Sequence, residues 1–250
     1  MRWHIGCSGF SYKEWKNVFY PPRLPVREWF NYYSDRFNTL ELNFTFYRFP
    51  QVPLLQTWYV KSPENFSFAV KAPRLITHYK QLNDCERLLH DFYTACRDGL
   101  KEKLGPLLFQ FPSRFVYSGV KLERIIASLD PSFVNVVEFR DVSWWDKRVY
   151  AALKKRGIIF CAMSFPGLPD DVIKTAPSIY YRFHGIEKLY YSSYDEATLK
   201  KTADDILRQK NTKEVFCYFN NTAAVGAIVN ALWLEEYTIT EIDSGLLIKR

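Results

Sequence analysis

Ionisable and polar side chains in this chain recur at the ends of short β-branched or aromatic runs. Val134-Asn135-Val136-Val137-Glu138-Phe139-Arg140 begins as a strand buried on both faces should. It ends with Glu138 and Arg140 on one face and Phe139 on the other. Thr39-Leu40-Glu41-Leu42-Asn43 ends with Glu41 and Asn43, Tyr180-Tyr181-Arg182-Phe183-His184 with Arg182 and His184, and Phe216-Cys217-Tyr218-Phe219-Asn220 with Tyr218 and Asn220. Strand side chains alternate with period two, so each run closes on a same-face polar pair. A carboxylate or guanidinium at the tip of a buried strand needs a partner, a ligand or water.

The residue types suggest proton transfer beside anion recognition. Glu138 and His184 form the expected acid/base pair, with Glu41 a further carboxylate. Arg140 and Arg182 suit bidentate contact with phosphate or carboxylate, and Lys71 offers a point charge or, if desolvated, a nucleophile. Asn43, Gln110, Tyr218, Asn220 and Asn221 add hydrogen bonds, and His78 lies in a loop that can reach the same place. Trp144 offers a stacking face, as do Trp15, Phe19, Tyr47 and Trp145. Each residue also has a structural reading. Glu138 with Arg182 or Lys71 would be a buried ion pair filling the interior, His184 would bond a neighbouring carboxylate, His78 would fix its loop, and the aromatics would roof the core. His4 and His90 read as structural, and four histidines without HxH or HExxH spacing predict neither a metal site nor a cofactor.

Eight strand-like runs can present these tips, at residues 3–7, 39–43, 67–71, 106–110, 134–140, 158–163, 179–184 and 214–220. Helical patterns separate them, over 26–36, 54–61, 84–101 with Asp84 as N-cap, 120–129, 146–156 stopped by Gly157, 195–209 and 223–233. A weaker pattern covers 170–176. Strict alternation argues for parallel pairing through right-handed crossovers, and the count of eight for a single-domain (β/α)8 TIM-type barrel over residues 1–234. No GxGxxG or Walker motif follows the first strand. Residues 235–250 read as a C-terminal extension packed on the barrel. Strand-to-helix loops are long and rich in aromatic, proline and basic residues, whereas the reverse joints are short, which puts function at the strand tips.

Composition sets wider bounds. The 250 residues, 48% hydrophobic and 24% charged, can bury a sizeable core. The formal net charge of +7 favours an anionic partner over a cationic one. Five cysteines without CxxC spacing read as reduced thiols in a cytoplasmic protein, and no run reads as a signal peptide or a transmembrane span.

Several motifs carry a resemblance. Cys7-Ser8-Gly9-Phe10-Ser11-Tyr12 precedes Trp15 and Phe19-Tyr20-Pro21; Thr39-Leu40-Glu41-Leu42-Asn43 runs on into Phe44-Thr45-Phe46-Tyr47; and Phe68-Ala69-Val70-Lys71-Ala72-Pro73-Arg74 precedes Thr77-His78. Leu108-Phe109-Gln110-Phe111-Pro112, Val137-Glu138-Phe139-Arg140 with Ser143-Trp144, Tyr181-Arg182-Phe183-His184-Gly185 and Tyr218-Phe219-Asn220-Asn221 follow. Together these resemble the YecE-like family, a domain of unknown function, over nearly the whole chain. The resemblance implies a TIM barrel. That barrel has been compared with endonuclease-type barrels, and a nucleic-acid role is suggested on that analogy alone. Many relatives carry acids where this chain has Ser164 and Thr222, which weakens the case for a metal here.

Two functions are therefore expected of the mouth. The first is a metal-independent enzyme, hydrolase or lyase in type, that binds a small anionic ligand through Lys71, Arg140 and Arg182. The second is nucleic-acid binding, with Arg74, Lys80 and Arg114 on the phosphate backbone and loop aromatics on the bases. No oligomeric state follows from the sequence.

Overall fold

A computed structural model describes residues 1–243. Its strands are β1 (Arg2–Cys7), β2 (Thr39–Leu42), β3 (Ser67–Lys71), β4 (Leu104–Gln110), β5 (Asn135–Glu138), β6 (Ile159–Ser164), β7 (Ser178–Phe183) and β8 (Glu214–Phe219). They form one parallel sheet of order β1-β8-β7-β6-β5-β4-β3-β2. The helices are α1 (Trp29–Ser34), α2 (Phe44–Tyr47), α3 (Val52–Lys61), α4 (Glu86–Leu100), α5 (Gly119–Ser128), α6 (Lys147–Arg156), α7 (Glu196–Leu207) and α8 (Gly226–Asp243). This is a (β/α)8 TIM-type barrel, nearly closed. Among the described residues no helix is long and apolar enough to cross a membrane.

Period-two alternation sorts the strand residues into two cores. Ala69, Leu108, Val136, Ile159, Cys161, Met163, Tyr180, Phe216 and Tyr218 pack together inside the barrel. Their sequence neighbours, such as Val70, Val137, Tyr181 and Phe219, join the larger core between the strands and the helices. The polar tips continue the inward phase, which stacks them above the inner core.

The seam between β1 and β2 is closed by side chains. Among the described residues only Ser8 and Glu41 bridge as strand partners there, with the Gly9 amide donating to the Glu41 carbonyl at 3.0 Å. The Tyr33 hydroxyl accepts from the Cys7 amide at 2.8 Å and donates to the Thr39 carbonyl at 3.1 Å. The Asn38 amide donates to the Trp3 carbonyl at 2.9 Å. Gly6 permits this approach, since a Cβ there would lie 2.4 Å from the Thr39 carbonyl oxygen.

Helix ends follow local chemistry. Asp146, Asp195 and Ser118 cap α6, α7 and α5 through their side chains, and Gly157 ends α6 in the left-handed conformation at φ 66°. Asp84 is not the cap of α4; it has φ 45°, and Cys85 stands at the cap position. The helix expected over 170–176 is absent. Thr175 instead runs beside β6, where its hydroxyl donates to the Ile158 carbonyl at 2.7 Å and accepts from the Phe160 amide at 2.8 Å. The last helix runs well past residue 233, because Trp233 stacks on Tyr237 and Tyr237 reaches Asp204 and Lys200 of α7. The stretch assigned to an extension thus begins as helix, and its remainder, residues 244–250, lies outside the described residues.

Candidate functional site

Arg182 occupies the barrel axis above the inner core and is fully buried. Its Nη2 lies 2.6 Å from Glu41 Oε1, and its Nη1 2.6 Å from Glu138 Oε2. Ser8 Oγ donates to Glu41 Oε1 at 2.6 Å, and Tyr180 OH to Glu41 Oε2 at 2.5 Å. The second oxygen of Glu138 accepts from Arg140, at 2.6 Å from Nε and also from Nη2. Glu41 and Glu138, fully buried from β2 and β5, are thus joined across the barrel by one guanidinium. Arg182 Nε is buried and has no hydrogen-bond partner among the described residues.

Electrostatics fix the charge states. Burial alone would push the Glu138 carboxyl up, but Arg140 and then Arg182 hold it well below the usual carboxylate range. Burial would lower the Arg182 guanidinium, and Glu138 and Glu41 more than reverse this. His184, completely buried, is pushed well below the ordinary imidazole range by desolvation, then by Arg140 and Arg182. It is a neutral ring whose Nδ1 takes the Asn220 amide at 3.0 Å, while Nε2 lies 3.8 Å from Glu138 Oε1 and 3.3 Å from Arg140 Nη2. Glu138 and His184 do come together as expected. Neither, however, exchanges protons easily near neutral pH.

Lys71 differs from these groups. It is half-buried at the tip of β3, with Nζ 4.3 Å from the centre of the Phe46 ring. Its ammonium makes no hydrogen bond or ion pair among the described residues. Desolvation, then the Arg182 charge, lower its amine to about 8. His78 packs edge-on against the same Phe46 ring at 4.9 Å, with Nδ1 3.0 Å from Thr77 Oγ1. Desolvation and the Lys71 charge bring its imidazole down to about 4. Arg140, only slightly exposed, stacks on Phe165 at 4.1 Å.

The remaining expected residues are scattered. Gln110 pairs in register with Glu138, but its amide is occupied by the Phe111 carbonyl at 2.8 Å. Tyr218 lies fully buried, with its hydroxyl on Thr39 Oγ1 at 2.6 Å. Asn43 lines a cavity of about 470 Å³ with Phe10, Leu42, Phe44 and Trp58. Asn221 ties Ser192 to Asn230 and is buried. Trp144 is not an exposed stacking face; it is fully buried between Phe139 and Phe115, and its indole donates to the Phe115 carbonyl. The short 3-10 turn Val142–Trp144 after β5 breaks the strand phase and turns the indole into the outer core.

Ser8, Phe46, Phe165 and Tyr180 contribute without having been expected. Tyr180 carried a usable signal, since it lies two residues before Arg182 and so on the same face. Cys161, 3.8 Å from Glu138, is pushed well up by burial and then by that carboxylate, so it stays a thiol. Among the described residues no group of three or more His, Cys, Asp or Glu is placed to hold a metal ion.

Comparison with known proteins agrees with this architecture. The chain is 28% identical to the UPF0759 protein YecE of Escherichia coli K12, over 96% of this chain and 95% of that one. It is 25% identical to the UPF0759 protein YunF of Bacillus subtilis, over 97% and 96% of the two chains. A DUF72 family protein of Thermotoga maritima superposes with a TM-score of 0.87 at 29% identity, covering 96% of this chain and all of that one. A DUF72 family protein of Enterococcus faecalis shares the fold, with a TM-score of 0.82 at 20% identity and 94% coverage of both chains. With residues 4–244 also matching the family described as "Protein of unknown function DUF72", the chain belongs to the DUF72 family.

Proposed function

We propose that the mouth of the barrel binds a small phosphate- or carboxylate-bearing molecule, and that the protein is a metal-independent enzyme of hydrolase or lyase type. One observation carries this reading. Two carboxylates, Glu41 and Glu138, face three cationic side chains, Arg182, Arg140 and Lys71, and the carboxylates are engaged by the arginines. Among the described residues Lys71 is left as a half-buried ammonium without a counter-ion, which an anion would supply. Its amine, lowered to about 8, is also the group best matched to proton transfer near neutral pH. Glu138 then serves as the fixed counter-ion that aims Arg140.

Thermal unfolding with millimolar sulfate, phosphate, citrate or lactate tests the reading. At least one anion should raise the melting temperature of the wild type, and Lys71→Met should abolish that rise. No stabilisation by any of the four would refute it.

A second reading has one feature in its favour. On the rim, the Arg74 guanidinium lies 5.7 Å from the Tyr47 ring and 5.5 Å from the Tyr79 ring, and both tyrosines are exposed. Such a stack suits unpaired bases and backbone phosphate. Binding of a single-stranded oligonucleotide should then fall steeply with salt and weaken in Arg74→Ala; no binding at low salt would end this reading.

A further inference from the structure

We propose that Lys71 forms a covalent imine with a small carbonyl compound that also bears a carboxylate or phosphate group. The inference rests on the anion-binding reading above and names the substrate class for that site.

The position of the amine is fixed by the fold. Lys71 pairs with Leu108 of β4, and its carbonyl accepts from Thr45 Oγ1 at 2.6 Å, so the backbone at the strand tip is held from two sides. The side chain then runs to the face of Phe46. The charged groups around it are Glu41 from β2, Glu138 and Arg140 from the end of β5, and Arg182 from β7. Both carboxylates are engaged by guanidiniums, so none forms an ion pair that would hold a proton on the amine. A lysine that fills space or supports structure is ordinarily paired, as Lys103 is with the Tyr59 and Ser62 carbonyls at 2.8 Å each. Among the described residues the Lys71 ammonium has no such partner. With its amine lowered to about 8, about a tenth is unprotonated at pH 7, against roughly one in 3,000 for an ordinary lysine.

The chemistry balances within the site. The Nζ lone pair attacks the carbonyl carbon as the C=O π pair moves to oxygen, which gains a proton while nitrogen loses one, giving a carbinolamine. Protonation of its hydroxyl, by the proton the lysine ammonium gave up on becoming the amine, and expulsion by the nitrogen pair release water and leave the iminium, so that ammonium and carbonyl become iminium and water overall. Solvent at the half-buried amine carries these protons, and His78, lowered to about 4 and sharing the Phe46 ring with Lys71, stays neutral beside the cation. Arg140, the more accessible of the two guanidiniums, takes the anionic group of the substrate. The iminium keeps the positive charge that this group neutralises.

Borohydride trapping on the wild-type protein tests the step. The protein is incubated with pyruvate or dihydroxyacetone phosphate, reduced with sodium borohydride, digested and mapped by mass spectrometry. The expected result is a reduced adduct from at least one of the two compounds, concentrated at Lys71, suppressed by excess sulfate and lost in Lys71→Arg. An adduct spread over surface lysines, or none at Lys71 from either compound, overturns the inference. Lactate, which carries the anionic group without the carbonyl, separates the two readings. If lactate stabilises the protein but Lys71 is never trapped, anion binding stands and imine formation falls; if none of sulfate, phosphate, citrate and lactate binds, the underlying reading falls as well.

Discussion

Glu138 accepts from two arginines with one carboxylate, and this defines its role better than its strand position does. A group tied this way is structural in its energetics even where it borders a catalytic cavity. Removing the charge in Glu138→Gln leaves Arg182 buried with a single counter-ion, and should destabilise the fold by about 3–5 kcal/mol in denaturant titration. The pH dependence follows from the lowered carboxyl pKa. The stabilisation is fully present above the unfolded-state value near 4.3 and is lost as pH falls through the lower folded value, so the gap between wild type and Glu138→Gln should be constant above about pH 5 and narrow steadily as pH falls below about 4. Lys71 has the opposite sign. Its folded pKa lies below its unfolded one, so the penalty is full below about pH 8 and relieved as pH rises towards 10.5. Lys71→Met should therefore be more stable than wild type at pH 7, by about 1–3 kcal/mol, with the difference shrinking by pH 10.

At the scale of elements, the seam between β1 and β2 positions the site, because Glu41 sits on one side of it and Ser8 on the other. Tyr33→Phe removes a hydroxyl that serves the Cys7 amide and the Thr39 carbonyl, and should cost about 1–3 kcal/mol with faster hydrogen exchange at Cys7. Gly6→Ala drives a Cβ into the Thr39 carbonyl and should cost more than Tyr33→Phe, because backbone must move. Much of this arrangement could be read from sequence, and the reason is periodicity. Glu41, Lys71, Glu138, Arg182 and Tyr218 each continue the inward phase of a strand, so alternation alone placed them inside one end of the barrel. It failed where the chain left the strand. Trp144 sits in a helical turn that redirects it, and Asn221 falls beyond β8 in a loop-fixing position. The run Tyr237-Thr238-Ile239-Thr240 has low helix propensity, and α8 persists there through contacts with α7 that no local pattern announces.

At the scale of the whole molecule, the net charge of +7 and the local charge of the mouth are separate facts. The first favours anions anywhere on the surface and is screened by salt within about 10 Å at 0.1 M. The second is one excess cation in a desolvated barrel end, and it can select a single ligand. Calorimetric titration with sulfate at pH 7 and pH 9.5 separates them, since the charge of sulfate is constant over that range. The account predicts one site at pH 7 whose affinity falls tenfold or more by pH 9.5 as Lys71 loses its proton, and a weak, pH-independent response in Lys71→Met. Affinity that persists unchanged at pH 9.5, or is equal in wild type and Lys71→Met, would contradict it.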